Sequence, residues 1–471
     1  MIILSSCNTY DKVDIPSYEE ENINDYEYIE KIEDKLSDLD EVDIPSYEDE
    51  NINDYEYSIK IEDEFSNLDF MVASDIHYFS DKLHDDGQAY NKLVETSNGQ
   101  MQHQATEILN EFVRNVIAES PDCLILTGDL TLNGEKQTHV ELASYFEEIE
   151  SHGIDVYVVP GNHDINNVYA RSYFGDEQEV VEYVDYDEFY EIYSEFGPDK
   201  AKYSDESSFS YVVEEGNVWL LMIDSAKYSN NISKGYPESS GELRAEQAKW
   251  FEEILNLAKQ ENKEILTFMH HNMVAHADVS SLYMMDFMLA GAEHGIAEYL
   301  ASHDMNVVFS GHIHCHDIAG IRYEDEFIYD ITTGALIVYP HNYRIFHLNE
   351  NGKLDIETRT INKLENDDSR GMSFDKYSEK LASRVNERIK AVEGMTEYET
   401  KEMQEYARIV ANAYFEGNDY SVLDKTKNLK GYSLWTRQEG RMSDMIIAMS
   451  HDTEPRDKNI TIDLNTGYWS D

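Results

Sequence analysis

Cys123-Leu124-Ile125-Leu126-Thr127-Gly128-Asp129 is a short apolar run that stops at a glycine and a carboxylate. Pro121 opens it, and the helix-spaced stretch Ala105–Ile117 precedes it. A continuous apolar run of this length, bounded by turn residues, reads as a strand buried on both faces, as in a parallel sheet. Groups just past the carboxyl ends of such strands are where an open α/β sheet assembles a site. Asp129 is therefore the first candidate functional residue.

The same arrangement recurs along the chain. Phe70–Ala73 leads to Asp75-Ile76-His77, and Val156–Val159 leads to Gly161-Asn162-His163-Asp164. Ile265–Phe268 leads to His270-His271, and Val307–Phe309 to Gly311-His312-Ile313-His314. Five predicted strands thus bring carboxylate, imidazole and amide groups to one edge. Helical patterns at Val140–Ser151, Ala245–Lys259 and Ile296–Ala301 separate them, which predicts an α/β core with parallel pairing. A hairpin predicted around Glu215-Gly216-Asn217 and further strands at Phe327–Ile331 and Ile345–Leu348 point to two stacked sheets rather than one. Val168–Ser204 is a long insertion rich in Tyr, Asp and Glu, which reads either as a pocket wall beside the site or as a helical decoration.

Asp75, His77, Asp129, Asn162, His270, His312 and His314 make a mixed nitrogen and oxygen ligand set suited to two divalent cations, whether Mn²⁺, Fe²⁺ or Zn²⁺. Such a pair serves hydrolysis of phosphate esters, among the slowest uncatalysed reactions, by activating water and neutralising the phosphoryl oxygens. Each motif alone has an ordinary reading as a packed or surface residue. Five in order, each after a strand, do not.

This order of motifs resembles the calcineurin-like metallophosphoesterase superfamily over roughly residues 70–348. The resemblance implies two mixed β-sheets in a four-layer α/β fold flanked by helices. It implies that Asp75, His77 and His314 hold one metal, that Asn162, His270 and His312 hold the other, and that Asp129 bridges them. His163 would face the substrate, with Asp164 hydrogen-bonded to its other ring nitrogen, while a metal-bridging hydroxide attacks phosphorus in line. Of the pair His270-His271, the first is the expected ligand and the second lines the pocket. Leu132 stands where the commoner pattern has a second Asp, and where purple acid phosphatases carry Tyr, so no iron-tyrosinate site is expected. Gly128-Asp129-Leu130-Thr131 and His270-His271-Asn272 look closest to bacterial relatives of class III cyclic-nucleotide phosphodiesterases, implying a small phosphodiester or organic phosphate as substrate.

The flanks read differently. Residues 13–40 and 42–69 form a tandem repeat in which Val13-Asp14-Ile15-Pro16-Ser17-Tyr18 returns as Val42–Tyr47. Between Tyr10 and Asp69 there are 23 acidic residues and 4 lysines, a density that predicts a disordered acidic spacer. Leu4-Ser5-Ser6-Cys7 resembles a bacterial lipobox, which predicts a bacterial cell-envelope setting, lipid-anchored through Cys7 or secreted. Met1–Leu4 is shorter than the apolar region of ~7–15 residues that such a signal needs, so a chance match stands beside that reading. The formal net charge of −59 opposes binding of long nucleic acid, which needs basic residues to replace counterions. A competing reading makes the acidic repeat the working part of a non-catalytic envelope protein, and a third is a nucleotidase or nuclease of the superfamily. After about Lys353 the patterns become helical (Tyr377–Val392, Glu397–Glu416). The expected organisation is a spacer at 1–69, a catalytic domain at 70–350 and a helical accessory region at 351–471. No sequence signal speaks to the oligomeric state.

Overall fold

The computed structural model describes residues 65–97, 99–276, 296–323, 326–364, 395–418, 420, 422–451 and 454–471. The lipobox-like segment, the acidic repeat before residue 65 and the helix expected at Tyr377–Val392 lie outside them.

Sixteen strands occur among the described residues: β1 (Leu68–Ala73), β2 (Cys123–Thr127), β3 (Asp155–Val159), β4 (Arg171–Phe174), β5 (Glu177–Val180), β6 (Tyr203–Ser204), β7 (Tyr211–Glu215), β8 (Val218–Ile223), β9 (Glu264–Met269), β10 (Val307–Ser310), β11 (Asp317–Tyr323), β12 (Glu326–Thr332), β13 (Asn342–Leu348), β14 (Lys353–Thr360), β15 (Ile460–Asp463) and β16 (Trp469–Ser470). One seven-stranded sheet runs β16-β15-β14-β13-β1-β2-β3, and the other β11-β12-β10-β9-β8-β7-β6. In the first, β1, β2 and β3 are parallel and the rest antiparallel. In the second, β8, β9, β10 and β12 are parallel, with antiparallel strands on both rims. The fold is the expected pair of mixed sheets.

Strand β8 shows why the sheets stack. All six of its residues are buried, and alternate ones enter different cores. Val218, Leu220 and Met222 join the core between the sheets, while Trp219, Leu221 and Ile223 pack with Phe251, Ile254 and Leu255 of helix Ala245–Glu261. A strand apolar on both faces needs cover on both, and the period of two divides its side chains between sheet and helix. On the outer side of the first sheet, helix Ala105–Glu119 supplies Ile108, Phe112 and Val116. That helix ends at Ser120 in the left-handed region (φ 55°), just before Pro121.

At the centre, four phenylalanines join the two sheets. Phe70 of β1 stacks on Phe346 of β13 at 4.7 Å and meets Phe268 of β9 and Phe309 of β10 edge-on at 5.9 and 5.5 Å. All four are fully buried.

The C-terminal stretch departs from the expected organisation. Its helices are present at Glu397–Glu416, Val422–Thr426, Lys430–Trp435 and Arg441–Ala448. It also contributes β14, β15 and β16 to the first sheet, which therefore does not end at residue 350. The alternation Leu354 and Ile356 inward, Asp355 outward fits a half-covered strand beside β13. The insertion Val168–Ser204 is mixed: the hairpin β4–β5, helix Tyr186–Tyr193 and the short β6.

Truncating Phe70 to Ala should open the seam between the sheets. We expect Phe70→Ala to lower the unfolding free energy by about 3–5 kcal/mol in urea denaturation. A loss below about 1 kcal/mol would mean that the quartet does not join the sheets.

Candidate metal centre

All five predicted motifs meet at one edge. The residues after β1, β2 and β3 of one sheet face those after β9 and β10 of the other. Backbone bonds tie the loops together: Asp75 N–H donates to the Gly128 carbonyl at 3.1 Å, and Gly311 N–H to the His270 carbonyl at 3.1 Å. Tightness explains two glycines. A Cβ on Gly161 would lie 2.2 Å from the Asp129 nitrogen, and one on Gly311 would lie 1.8 Å from Ser74 Oγ. Asp75, His77, Asp129, His312 and His314 all have positive φ, between 41° and 70°. Non-glycine residues enter this region at a cost, and such strain collects at functional sites.

Two overlapping clusters result. In the first, His314 Nε2 lies 3.3 Å from Asp75 Oδ1 and 3.1 Å from His77 Nε2, and His77 Nε2 lies 3.6 Å from Asp129 Oδ2. In the second, His270 Nε2 lies 3.2 Å from Asn162 Oδ1, 3.1 Å from His312 Nδ1 and 3.3 Å from Asp129 Oδ2. A cation with bonds of ~2.1 Å separates neighbouring ligands by roughly 3.0–3.4 Å, and five of these six spacings fall in that range, His77 to Asp129 at 3.6 Å being slightly wider. Asp75 Oδ1 is buried with no hydrogen-bond donor, although its partner Oδ2 accepts from Ser74 Oγ at 2.6 Å and from His312 N–H at 2.9 Å. One oxygen is fixed by the protein and the other is aimed at the cluster. The residues fit two cations.

Protonation agrees. Burial pushes His77 down to about 3 and His312 well below the usual range, leaving ring lone pairs for coordination. Burial also opposes charge on His270, but the Asp129 carboxylate overrides it and lifts the ring to about 9. A proton there does the electrostatic work of a cation, and metal binding would release it.

A family model for calcineurin-like phosphoesterases matches residues 68–316, more than half of the chain. The chain belongs to that family. A probable glycerophosphodiester phosphodiesterase, GpdQ, from Arcobacter nitrofigilis is 29% identical over 205 residues, which are 42% of this chain and 59% of that protein. Among solved structures, a dimetal phosphatase from Danio rerio aligns over 62% of this chain and 96% of its own, at 16% identity and a TM-score of 0.44. A purple acid phosphatase from yellow lupin (Lupinus luteus) aligns over 63% and 52%, at 12% identity and a TM-score of 0.41.

In this chain His271 is buried in the same group as His270 and His312. Its ring nitrogens are nevertheless engaged elsewhere, Nδ1 with Ser225 Oγ at 2.8 Å and Nε2 with the Ser239 carbonyl at 3.2 Å. Those partners, distant in sequence, were not legible beforehand. His163 stands next to Asp129, with Nε2 4.0 Å from Oδ2 and its backbone N–H donating to Oδ1 at 2.8 Å.

One expectation needs correction. Asp164 does not hold the second nitrogen of His163. That nitrogen, Nδ1, donates to the Leu132 carbonyl at 2.7 Å. Asp164 Oδ1 accepts from Thr131 N–H and Oγ1, and Oδ2 from Leu130 and Gly161 N–H, at 2.8–3.1 Å. It is a brace for the two loops carrying Asp129 and Asn162. The loop geometry decides this, because the carboxylate of Asp164 faces four donors and a backbone carbonyl already meets the imidazole. His316 and His341 are fully buried. His316 bonds Thr358 Oγ1 at 2.9 Å, and His341 bonds the Leu336 carbonyl at 2.7 Å. Asp224 holds its own turn, accepting from Ala226 N–H, Phe209 N–H, Tyr228 and Arg244.

Glu135 was also missed. It lies fully buried ahead of helix Lys136–Glu150, with Oε2 accepting from Asn133 N–H at 2.9 Å and Oε1 unbonded. Burial lifts its carboxyl to about 7 from an ordinary 4.5. Between those values the unfolded chain gives up a proton that the folded chain keeps, so stability falls as pH rises through the window and levels above it. Glu135→Gln removes this slope. The variant's stability relative to wild type, measured by urea unfolding of metal-free protein, should rise by about 2 kcal/mol between pH 5 and pH 8. A constant difference would place the Glu135 titration elsewhere.

Proposed function

We propose that this chain is a dinuclear-metal hydrolase of phosphoesters, and that its substrate is a small phosphodiester. The observation that carries the reading is the sharing of Asp129 Oδ2 between two ligand clusters, 3.6 Å from His77 Nε2 and 3.3 Å from His270 Nε2. Asp75, His77, His314 and Asp129 would hold one cation, and Asn162, His270, His312 and Asp129 the other. Two divalent ions of the Mn²⁺, Fe²⁺ or Zn²⁺ type would supply Lewis acidity for water and for the phosphoryl oxygens. The name of the Arcobacter relative supports a diester.

The protein's own part in the chemistry centres on His163. With Nδ1–H fixed on the Leu132 carbonyl, Nε2 is the atom turned toward the clusters. Carrying a proton, it would donate to a phosphoryl oxygen or to the oxygen of the departing alcohol. As the water oxygen bonds to phosphorus and the P–O bond to the leaving group breaks, that oxygen gains charge, and a donor placed there lowers the barrier. Asp164 acts on this indirectly, through the loops it braces.

The lipobox-like Leu4–Cys7 and the acidic spacer support a bacterial envelope location, anchored through Cys7 or secreted. Retention of all seven ligand residues speaks against the inert-scaffold reading.

The test uses the full chain with bis-p-nitrophenyl phosphate and p-nitrophenyl phosphate, first metal-stripped and then with Mn²⁺. Turnover should return with metal, favour the diester, vanish in Asp129→Ala and drop by about 10²–10³-fold in His163→Ala with both Mn²⁺ retained. A chain that binds two Mn²⁺ and turns over neither ester would sink the proposal. In equilibrium dialysis, His270→Ala should lose one Mn²⁺ equivalent while His271→Ala keeps two. The reverse would exchange the roles of these neighbours.

A further inference from the structure

Behind the second cluster lies a buried polar network that the reaction does not use. Asp330 sits in the middle of β12, inside the apolar run Phe327–Ile331, and is fully buried. Its Oδ2 accepts from Met273 and Val274 N–H at 2.5 and 3.0 Å, in the loop that follows β9. Its Oδ1 accepts from Ser310 Oγ at 2.5 Å, at the end of β10, and Asn272 Nδ2 donates to the same Ser310 hydroxyl at 2.7 Å. His276 closes the arrangement. Its Nδ1 lies 2.5 Å from Asp317 Oδ2, and its Nε2 lies 3.3 Å from Asp330 Oδ1.

The sheet order gives this network its reach. β12 neighbours β10, which neighbours β9, so Asp330 spans from its own strand to the loop two strands away. His270 opens that loop, with Met273 and Val274 three and four residues after it, and Ser310 stands two residues before His312. One carboxylate therefore ties down the backbone on which both imidazoles of the second cluster ride. Buried charge is expensive unless matched by donors, and hydrophobic residues would fill the same volume at less cost. Met273, Val274, Val308 and Ile328 around it show that apolar packing is available here. Of the first cluster, His314 shares the β10 loop, but Asp75 and His77 follow β1 and are fixed separately. Ser74 Oγ holds Asp75, and Gln102 Nε2 donates to the His77 carbonyl at 3.0 Å.

We infer that Asp330, acting with Ser310 and His276, is a positioning residue that sets the spacing of His270 and His312 and thereby the affinity of the second metal subsite. The inference rests on the dinuclear reading above. Removing Asp330 should leave the first subsite within about twofold of its affinity and weaken the second by about 10–100-fold, as loss of an outer partner of a metal ligand typically does.

The experiment titrates metal-stripped full-length protein with Mn²⁺. It follows binding by calorimetry and the pair by the spin-coupled electron paramagnetic resonance signal of adjacent Mn²⁺ ions. Asp330→Asn and the milder Ser310→Ala are compared with wild type and with Ser443→Ala. Ser443 Oγ donates to the Trp435 carbonyl at 2.6 Å in the C-terminal helices, so its loss probes the effect of a buried hydrogen bond alone. Selective loss of the second binding step and of the coupled signal in Ser310→Ala, absent in Ser443→Ala, supports the inference. If wild type binds two Mn²⁺ and both folded variants bind two as tightly, or lose both equally, the inference is overturned and the dinuclear reading stands. A wild-type chain that binds fewer than two overturns the dinuclear reading and this inference with it.

Discussion

The carboxylate of Asp129 is the point on which the site turns. It lies within 4.0 Å of three imidazoles, and its second oxygen receives the backbone N–H of His163. Burial raises the cost of its charge, yet His270 and His163 hold it well below the usual carboxylate range. A charged oxygen in so dry a place persists only if positive charge is fixed around it. The surrounding loops therefore have one arrangement to hold, and each contact that holds them bears on the same few ångströms.

Holding it costs backbone strain. Five of the seven expected ligand residues adopt positive φ without being glycine. Each such residue costs on the order of 1 kcal/mol or more, and nothing within the loops alone would return it. The return comes from the strands behind them. β1 and β2 end one residue before Ser74 and Gly128, and their side chains enter the core that the Phe70 quartet unites. Because that core packs two sheets against each other, loops from both are delivered to one edge. A single sheet would bring only three or four of the seven expected ligands.

This division explains what the sequence disclosed. The parallel strands are buried on both faces, so they appear as unbroken apolar runs, and the polar residues following them stand out. The order of the motifs was legible for that reason. β14 to β16 lie toward the edge of the first sheet, where alternation and exposure give short mixed patterns that were absorbed into the helical region expected after about Lys353. Asp164 was assigned to the right place with the wrong partner. Adjacency to His163 suggested contact, but successive side chains leave a turn in different directions, and four donors outcompeted one imidazole. Asp330 did leave a trace, as a lone acid inside Phe327–Ile331. Periodicity alone gave no way to tell a strand-end turn from a buried brace.

The acidity of the chain remains to be squared with an anionic substrate. Tyr10–Asp69 carries nineteen of the fifty-nine net negative charges, from its 23 acids and 4 lysines. At physiological ionic strength, charges more than ~8 Å from a phosphate are largely screened, so the formal net charge does not by itself set the field at the site. What acts are the groups within a few ångströms. There Asp75 and Asp129 are matched by His77, His163, His270, His312 and His314, which carry no negative charge of their own. Two divalent ions would outweigh two carboxylates, leaving a net positive centre among buried groups, where it counts most. On the proposed reading, an acidic protein would bind a small phosphoester at this edge, because the field there depends on where the charge sits rather than on its sum.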